Sequence, residues 1–345
     1  MKRPFARRTL VLLIALMVAY TSIAFACSTE MVTGVDFGDY GKIAYEYLEY
    51  IDENLPDRDA MEGRNIADAR EWIISELKAS GYALSQIQCK DFTFSEGKRR
   101  CKAQNIIVTL PGRSQSQIIV GAHYDNVGMG SGAGDNGSGV AVVLEAAHNL
   151  IKEDTLPKTV VFIFFSGEEY GFYGSADYAR GMTKAEIKRT EFMVNIDSIL
   201  CGDFCYLYGG TADFRHKTVT DTQAFEKVYA ISQKLGLDMR LNPWTFENPP
   251  PGFDEPDYPS PSTGDWSDHV SFVKRGIQYV YMEASNWDIP GEDDAYDGSG
   301  ETAEFGEMMH TKNDTLAKVE EVFPGRALYH LQVFSMLLHA VLTQE

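Results

Sequence analysis

The stretch GMGSGAGDNGSGVAVVLE (residues 128–145) is compatible with two kinds of fold. Its segment from Gly132 to Gly137 matches the G-x-G-x-x-G pattern of a dinucleotide-binding loop, and an apolar helical pattern follows it. The same segment carries an acidic residue, Asp135, in its middle. A loop that cradles a phosphate and a loop that presents a carboxylate to a metal ion need different surroundings. The neighbouring segments therefore decide between the two.

Strand-like and helix-like segments alternate on both sides of this loop. Helical patterns cover Tyr40 to Ile51, Asn65 to Ala79, the segment after Gly137 and the C-terminal residues from Leu328 to Val341. Several strand-like runs between them are apolar on both faces, as buried central strands are. These runs are residues 105–110, 117–122, 159–165, 192–196 and 277–282. The alternation predicts an α/β fold with a mostly parallel central sheet sandwiched by helices, in a single domain over residues 27–345.

The distance between the strand and the glycines argues against a dinucleotide site. In such a site the first glycine directly follows the strand, so that the pyrophosphate meets the N-terminus of the helix. Here the strand ends near His123, about nine residues before Gly132. The second strand with an acidic end, expected about 20 residues later, is replaced by a helical pattern. The glycines are therefore interpreted as those of a metal-binding loop.

Histidines and acidic residues end three of the predicted strands. His123 and Asp125 lie at the end of one strand, Glu168 and Glu169 follow another, and Asp197 ends a third. The carboxyl ends of parallel strands share one edge of an open sheet, which is where ligands bind. The sequence therefore predicts that these side chains meet the aspartate of the glycine loop at this edge.

The residue types fit a centre with two zinc ions, because Zn²⁺ accepts imidazole nitrogens and carboxylate oxygens and two adjacent ions need a bridging carboxylate. We predict Asp135 as the bridge, His123 and Asp197 on one ion, and Glu169 and His310 on the other. The remaining residues of the set are given catalytic roles. Glu168 is predicted to be the general base, and Asp125 to accept the second imidazole N–H of His123.

The motifs around these residues resemble metallopeptidase family 28, which contains two-zinc bacterial leucyl aminopeptidases, glutamate carboxypeptidase II and the zinc glutaminyl cyclases. The resemblance covers about 200 residues and implies the zinc-dependent exopeptidase fold, with two zinc ions per chain. It further implies release of N-terminal residues from peptides by zinc-bound hydroxide. The matching motifs are GAHYDNVG (121–128), GAGDNGSGVAVVLE (132–145), FFSGEEYGFYGS (164–175), VNIDSI (194–199), SDHVSF (267–272) and HTKNDTL (310–316).

The resemblance adds two residues and leaves one position open. Asp268 and His269, in SDHVSF, are expected to contact the substrate or to support the metal ligands. In several family members a tyrosine that holds the oxyanion precedes the last histidine ligand, and here that position is Met309. Two alternatives to an aminopeptidase remain open: a zinc glutaminyl cyclase-like aminoacyltransferase, and a non-catalytic binding protein on the same fold.

Charge and the N-terminal pattern bear on partners and location. The 345-residue chain has a formal net charge of −19, which argues against nucleic acid or an anionic membrane as a partner. Residues 1–26 combine basic residues, an apolar run and the small-residue pattern Ala24-Phe25-Ala26, as a secretory signal peptide does. We therefore expect an exported protein, periplasmic or extracellular, that acts on peptides with a free N-terminus. Cys27 is a candidate for lipid attachment, the one route by which a membrane association is expected.

The other cysteines and two irregular segments complete the expectations. An oxidising compartment permits disulfides, which we predict between Cys89 and Cys101 and between Cys201 and Cys205. Residues 249–261 are proline-rich, and residues 283–307 contain nine acidic residues and no lysine or arginine. We interpret the acidic segment as a solvated lid. A preference for basic peptide N-termini and a calcium site are its two alternatives.

Overall fold

The computed structural model describes residues 34–213, 218–241, 264–289 and 301–344. The chain divides into two units, residues 1–35 and residues 36–345, and every element named below belongs to the second. The predicted signal peptide, Cys27, the proline-rich segment and residues 290–300 of the acidic segment lie outside the described residues. The predictions made for them stay predictions.

Within the described residues, eight strands form one mixed sheet in the order β1–β2–β4–β3–β5–β8–β6–β7. The central neighbours β4, β3, β5 and β8 run parallel, and the outer pairs β1–β2, β2–β4, β8–β6 and β6–β7 are antiparallel. Their bounds are β1 (Ile87–Glu96), β2 (Arg99–Leu110), β3 (Gly112–His123), β4 (Leu156–Phe165), β5 (Thr190–Ile196), β6 (Phe204–Asp213), β7 (Thr218–Asp221) and β8 (Gln278–Ser285).

The central strands are the apolar runs of the sequence. Residues 160–165 of β4 and 117–123 of β3 are buried without interruption. β-branched and aromatic side chains suit strands that are covered on both faces. The predicted α/β fold is confirmed, with the parallel pairing confined to the four central strands. The strands β1, β6 and β7 were not predicted. Most residues of β1, at the edge of the sheet, are exposed, so it lacks the continuous apolar run of the central strands.

Helices cover both faces of this sheet. On one face α1, α2, α3 and α9 pack against one another, and on the other α4 and α7 pack against Val161, Ile163 and Phe165 of β4. No described helix combines the length and the apolar character that a membrane span requires. The helices are α1 (Lys42–Asn54), α2 (Ile66–Ser80), α3 (Ser138–Leu150), α4 (Tyr173–Gly181), α5 (Lys184–Arg189), α6 (Gln223–Leu235), α7 (His269–Val273), α8 (Leu316–Val322) and α9 (Arg326–Thr343).

The cysteines within the described residues are four free thiols, so both predicted disulfides are wrong. In the β1–β2 hairpin Cys89 lies opposite Ile106 and Cys101 lies opposite Phe94. The two cysteines are thus five register positions apart, about 17 Å at about 3.4 Å per residue, whereas a disulfide needs Cα atoms closer than about 7 Å.

The second cysteine pair is separated by its packing. Cys205 lies on β6 opposite Ala284, and the sulfur of Cys201 faces Gly134 of the glycine loop. Both side chains are buried, and burial raises the pKa of both thiols.

Candidate metal centre

The predicted site residues meet at the carboxyl edge of the parallel strands. His123, the last residue of β3, is the register partner of Phe165, the last residue of β4, and β5 runs parallel to β3 on the other side. The loops after these strands therefore leave the sheet side by side. They carry Glu168 and Glu169 after β4 and Asp197 after β5.

The glycine loop brings Asp135 to the same edge. Residues Ala133–Gly137 form a kinked turn that leads into α3, with non-helical backbone angles at Asp135 and Asn136, and the peptide bond between these two residues is cis. Gly132 has φ 62°, and a Cβ on Gly139 would lie 2.3 Å from Oδ1 of Asn136. A side chain at position 139 would collide with the amide that holds the turn, so glycine is required there.

Asp135 lies between the two predicted histidine ligands. Its Oδ1 is 3.1 Å from Nε2 of His123, and its Oδ2 is 2.8 Å from Nε2 of His310. The remaining two carboxylates complete the groups. Asp197 Oδ1 is 3.1 Å from Nε2 of His123, and Glu169 Oε2 is 3.3 Å from Nε2 of His310. The structure thus brings all five predicted ligands together, in two groups that share Asp135.

These separations fit zinc ligation. Ligand atoms at about 2.0–2.1 Å from a tetrahedral zinc ion are about 3.3 Å from one another. Ligand atoms of His123, Asp135 and Glu169 lie within 4.8 Å of one another, and so do those of His123, Glu168 and Asp197. The second group places Glu168, the predicted base, beside two predicted ligands.

Burial and mutual repulsion dominate the electrostatics of this cluster. Burial, assisted by the charge of Asp197, raises the pKa of Glu168 well above its ordinary value. Burial and the charge of Asp135 raise the pKa of Glu169 to about 7. For His310, hydrogen bonds to Asp135 and Glu169 raise the pKa to about 10. Several buried carboxylates at one point repel one another, and a divalent cation relieves that repulsion.

The ligands are held by neighbours that the sequence reasoning missed. The hydroxyl of Ser267 donates to Oδ2 of Asp197 over 2.6 Å and accepts from the amide of Asn195 over 2.7 Å. Ser198 and His310 both adopt left-handed backbone conformations, with φ of 53° and 56°. Such conformations cost about 1–3 kcal/mol each in a non-glycine residue and persist where the surroundings impose them.

Asp125 contacts His123 in a different way from the one predicted. The Nδ1 atom of His123 donates to the backbone carbonyl of Asp125 over 3.1 Å, and the nearest carboxylate oxygen is 3.9 Å away. In this structure the backbone carbonyl of Asp125, and not the predicted carboxylate, is the nearer acceptor of this N–H. The carboxylate instead accepts the backbone N–H of Glu168 over 3.4 Å, and burial raises its pKa to about 6.

Asp268 and His269 lie outside the cavity lining. The Nε2 of His269 donates to the carbonyl of Gly264 over 2.8 Å, and its ring stacks on Tyr279 and Tyr281. Burial lowers the pKa of His269 to about 4, so its ring is neutral. Asp268 is completely buried, and burial raises its pKa to about 7.

Asp314 and Arg58 fix the glycine loop from opposite sides. Asp314, within the HTKNDTL motif, accepts the backbone N–H groups of Gly134 and Asp135 over 2.6 Å and 3.1 Å. Arg58 is buried and donates to the carbonyls of Ser131 and Gly132 over 2.7 Å and 2.9 Å. The motif contained a signal for Asp314, whereas nothing in the sequence distinguished Arg58.

A cavity of about 440 Å³ opens beside the centre. Asp135, Glu168, Glu169, Asp197 and His310 line one part of it. Met309, which stands where several family members have the oxyanion tyrosine, lines it as well, and its sulfur accepts from the hydroxyl of Ser198 over 3.4 Å. Ser198, Tyr281 and Ser285 are the hydroxyl-bearing residues of the described lining and the candidates for that role.

Comparisons with known proteins agree with this site. The sequence model of Peptidase family M28 matches residues 105–328, which include every predicted metal ligand. An alkaline phosphatase isozyme conversion protein of Escherichia coli is 29% identical over 240 residues, 64% of this chain and 65% of that protein. Aminopeptidase YwaD of Bacillus subtilis is 29% identical over 206 residues, 59% of this chain and 37% of its own length. The chain thus spans less than two thirds of the length of these relatives.

Solved structures share the fold. A zinc aminopeptidase from Bacillus subtilis matches with a TM-score of 0.62 and 17% identity, over 87% of this chain and 95% of that one. A glutaminyl cyclase from an Acidobacteriales bacterium matches with a TM-score of 0.64 and 18% identity, over 92% and 98%. The family and the zinc aminopeptidase support zinc as the metal. The resemblance seen in the motifs is confirmed: the family model covers more than half of the chain, which therefore belongs to Peptidase family M28.

Proposed function

We propose that the protein is a two-zinc aminopeptidase that removes N-terminal residues from peptides. The observation that carries the proposal is the position of Asp135, whose two carboxylate oxygens face the Nε2 atoms of His123 and His310 at 3.1 Å and 2.8 Å. One carboxylate shared by two ligand groups is what a pair of ions about 3.5 Å apart requires.

The remaining ligands follow from the two groups. Asp197 would join His123 on the first ion, and Glu169 would join His310 on the second, as their distances of 3.1 Å and 3.3 Å allow. Zinc ions bound there would polarise the substrate carbonyl and lower the pKa of a water molecule. Carboxylates of the site would hold the α-amino group of the substrate, which explains the requirement for a free N-terminus.

Glu168 is the proposed general base. Its carboxylate lines the cavity and has a ligand atom within 4.8 Å of those of His123 and Asp197. From this position it would take the proton of the attacking water and later give it to the leaving amine. The carboxylate of Asp125 accepts the backbone N–H of Glu168, and its backbone carbonyl accepts the imidazole N–H of His123, so Asp125 would hold both residues in place.

Replacing Glu168 by glutamine tests this role. We expect kcat to fall by at least about 100-fold, because general base catalysis contributes about that much or more. Metal analysis of the purified variant should still find the full zinc content. The same substitution at the exposed Glu49 on α1 is the control and should leave both quantities unchanged. Loss of zinc together with activity in Glu168→Gln would contradict the assignment.

A glutaminyl cyclase is the second candidate, favoured by the similarity of the fold to a cyclase over 92% of the chain. Three peptides separate the two reactions by mass spectrometry of the products: one with N-terminal leucine, the same peptide acetylated, and one with N-terminal glutamine. An aminopeptidase trims the first peptide stepwise and leaves the second intact. Loss of ammonia from the third, with the first untouched, would identify a cyclase.

The proposal includes export, as the basic and apolar pattern of residues 1–26 predicts. Cell fractionation with an antibody against the protein would test it. Recovery of the protein in the cytoplasmic fraction would contradict export and leave the proposed reaction unaffected.

A further inference from the structure

The cavity beside the metal centre extends well past the metal residues, and its volume of about 440 Å³ is that of a small-molecule pocket. Its lining also contains Glu283, Glu301 and Glu307, and the described residues that line it include no lysine or arginine. The part of the cavity that these three glutamates line is therefore acidic.

The charge of bound zinc would not balance these three further glutamates. Two zinc ions carry four positive charges, and four carboxylates surround their sites: Asp135, Glu168, Glu169 and Asp197. Glu283, Glu301 and Glu307 are further carboxylates in the wall of the same cavity, beyond the four that the zinc charge would balance. A substrate group with a positive charge is complementary to such a wall, and a group with a negative charge is repelled by it.

Two of the three glutamates are poorly placed to bind that group. Glu301 accepts the backbone N–H groups of Met308 and Met309, the second over 2.7 Å, which commits its carboxylate to the loop before His310. Glu307 is exposed to solvent, where water and salt screen its charge. Glu283 remains as the residue that would pair with a substrate cation.

Glu283 lies one strand away from the metal centre. Ile196 of β5 is the register partner of Met282 of β8, so Glu283 is the next residue on β8 as Asp197 is on β5. Its carboxylate accepts from the hydroxyl of Tyr208 over 2.8 Å and from that of Tyr281 over 3.4 Å. These donors are neutral phenols that orient the carboxylate, and burial raises the pKa of Glu283 to about 8. A substrate cation beside it would favour the ionised form.

Aromatic rings form another part of the cavity lining. Trp266 and Trp287 line the cavity with Tyr281, and their ring centroids are 5.9 Å apart. The indole N–H of Trp287 donates to the hydroxyl of Tyr208 over 2.5 Å, which links the ring to the residue that holds Glu283. Aromatic faces accommodate the aliphatic stem of a lysine or arginine side chain and attract its charged head.

Building on the proposed aminopeptidase function, we propose that this cavity is the specificity pocket for a positively charged N-terminal side chain, lysine or arginine, whose head group pairs with Glu283. The scissile bond would lie at the metal centre, and the side chain of the N-terminal residue would extend along the rings of Trp266 and Trp287. The same arrangement disfavours acidic N-terminal residues, because Glu283 and Glu301 would repel them.

Peptides that differ only in their first residue test the pocket with the zinc-loaded protein. The series contains arginine and its neutral isostere citrulline, and lysine with its neutral analogue norleucine. We expect kcat/KM for arginine to exceed that for citrulline by about 100-fold, because only the charge differs between them. Equal values for the charged and neutral members would overturn the proposal.

The variant Glu283→Gln assigns the effect to the carboxylate, with Glu49→Gln on the exposed face of α1 as the matched control. In Glu283→Gln we expect kcat/KM for arginine and lysine to fall by about 100-fold and that for norleucine to stay within about threefold. A loss of equal size on all four peptides would mean that Glu283 holds the α-amino group or the fold, and would overturn the specificity role.

Isothermal titration calorimetry separates failure of this inference from failure of the proposed function. Free arginine should bind the wild-type protein more tightly than citrulline does, and Glu283→Gln should abolish the difference. If no peptide is cleaved while this difference is present, the aminopeptidase function is wrong and the pocket stands. Cleavage of norleucine and leucine peptides without any preference for basic residues would leave the function intact and remove the pocket assignment.

Discussion

Replacement of Arg58 by methionine should destabilise the protein and weaken its metal centre, although Arg58 is not a proposed ligand. The side chain is only 2% exposed and donates to four backbone carbonyls, all within 2.9 Å. Two of these carbonyls belong to Ser131 and Gly132, directly before the turn that carries Asp135. The other two belong to Leu55 and Tyr124.

The size of the effect follows from these four acceptors. Methionine fills much of the space but donates no hydrogen bond, and each buried carbonyl without a donor costs about 1 kcal/mol. The carbonyl of Gly132 keeps the N–H of Gly137 as a donor, so three carbonyls are left without one and the gross loss is about 3 kcal/mol. Removal of a buried charge offsets part of it, since burial lowers the pKa of Arg58 to about 10. We expect a net decrease of about 1–2 kcal/mol in the free energy of unfolding, and zinc binding about tenfold weaker.

Urea unfolding of the zinc-free protein measures the first quantity, and zinc titration against a chelating indicator measures the second. Arg64→Met is the control, because its side chain is 85% exposed and its ion pair with Asp57 lies at the surface. Such a pair contributes at most about 1 kcal/mol. If Arg58→Met unfolds at the same urea concentration as Arg64→Met and binds zinc as the wild type does, the assigned role of Arg58 is refuted.

Three further outcomes are expected. Asp135→Asn should lower the zinc occupancy of both proposed sites, because one carboxylate faces both histidines. Loss of only one zinc ion per chain on metal analysis would argue against bridging. Reductant should leave the melting temperature unchanged, and a thiol reagent should titrate Cys89, Cys101, Cys201 and Cys205 in the unfolded protein without prior reduction. Burial lowers the pKa of His330 to about 4, so the unfolded state takes up the proton first and acid destabilises the fold between about pH 6.5 and pH 4. His330→Gln should flatten that part of the stability profile, and an unchanged slope would count against it.

Three of the residues that the sequence placed at the site lie where a central strand ends. His123, Glu168 and Asp197 follow runs of apolar residues that only a buried parallel strand explains, and parallel strands bring their ends together without further information. Arg58 could not be found this way. Its side chain donates to backbone carbonyls 66 and 73 residues away in the chain. Every residue has a backbone carbonyl, so the residue types in those segments do not indicate the contact.

The wrong disulfides have the same origin in long-range geometry. Cys89 and Cys101 are near in sequence, but the turn between β1 and β2 lies at residues 97–98, so the hairpin pairs Cys89 with Ile106. Pairing within a hairpin is set by the position of its turn rather than by the spacing of the cysteines. Gly97, with φ of 56°, marked that turn in the sequence and would have predicted the register.

The sequence of the glycine loop resembles a phosphate-binding loop because its backbone N–H groups do bind an anion, which here is the carboxylate of Asp314. In a phosphate loop the backbone N–H groups before the helix point at the ligand. Here the N–H groups of Gly134 and Asp135 donate to the carboxylate of Asp314, and that of Gly139 donates to Asn136. With those donors occupied, the loop has none left at these positions for a nucleotide. Its own carboxylate, Asp135, faces His123 and His310, so the surface that the loop presents is one for cations.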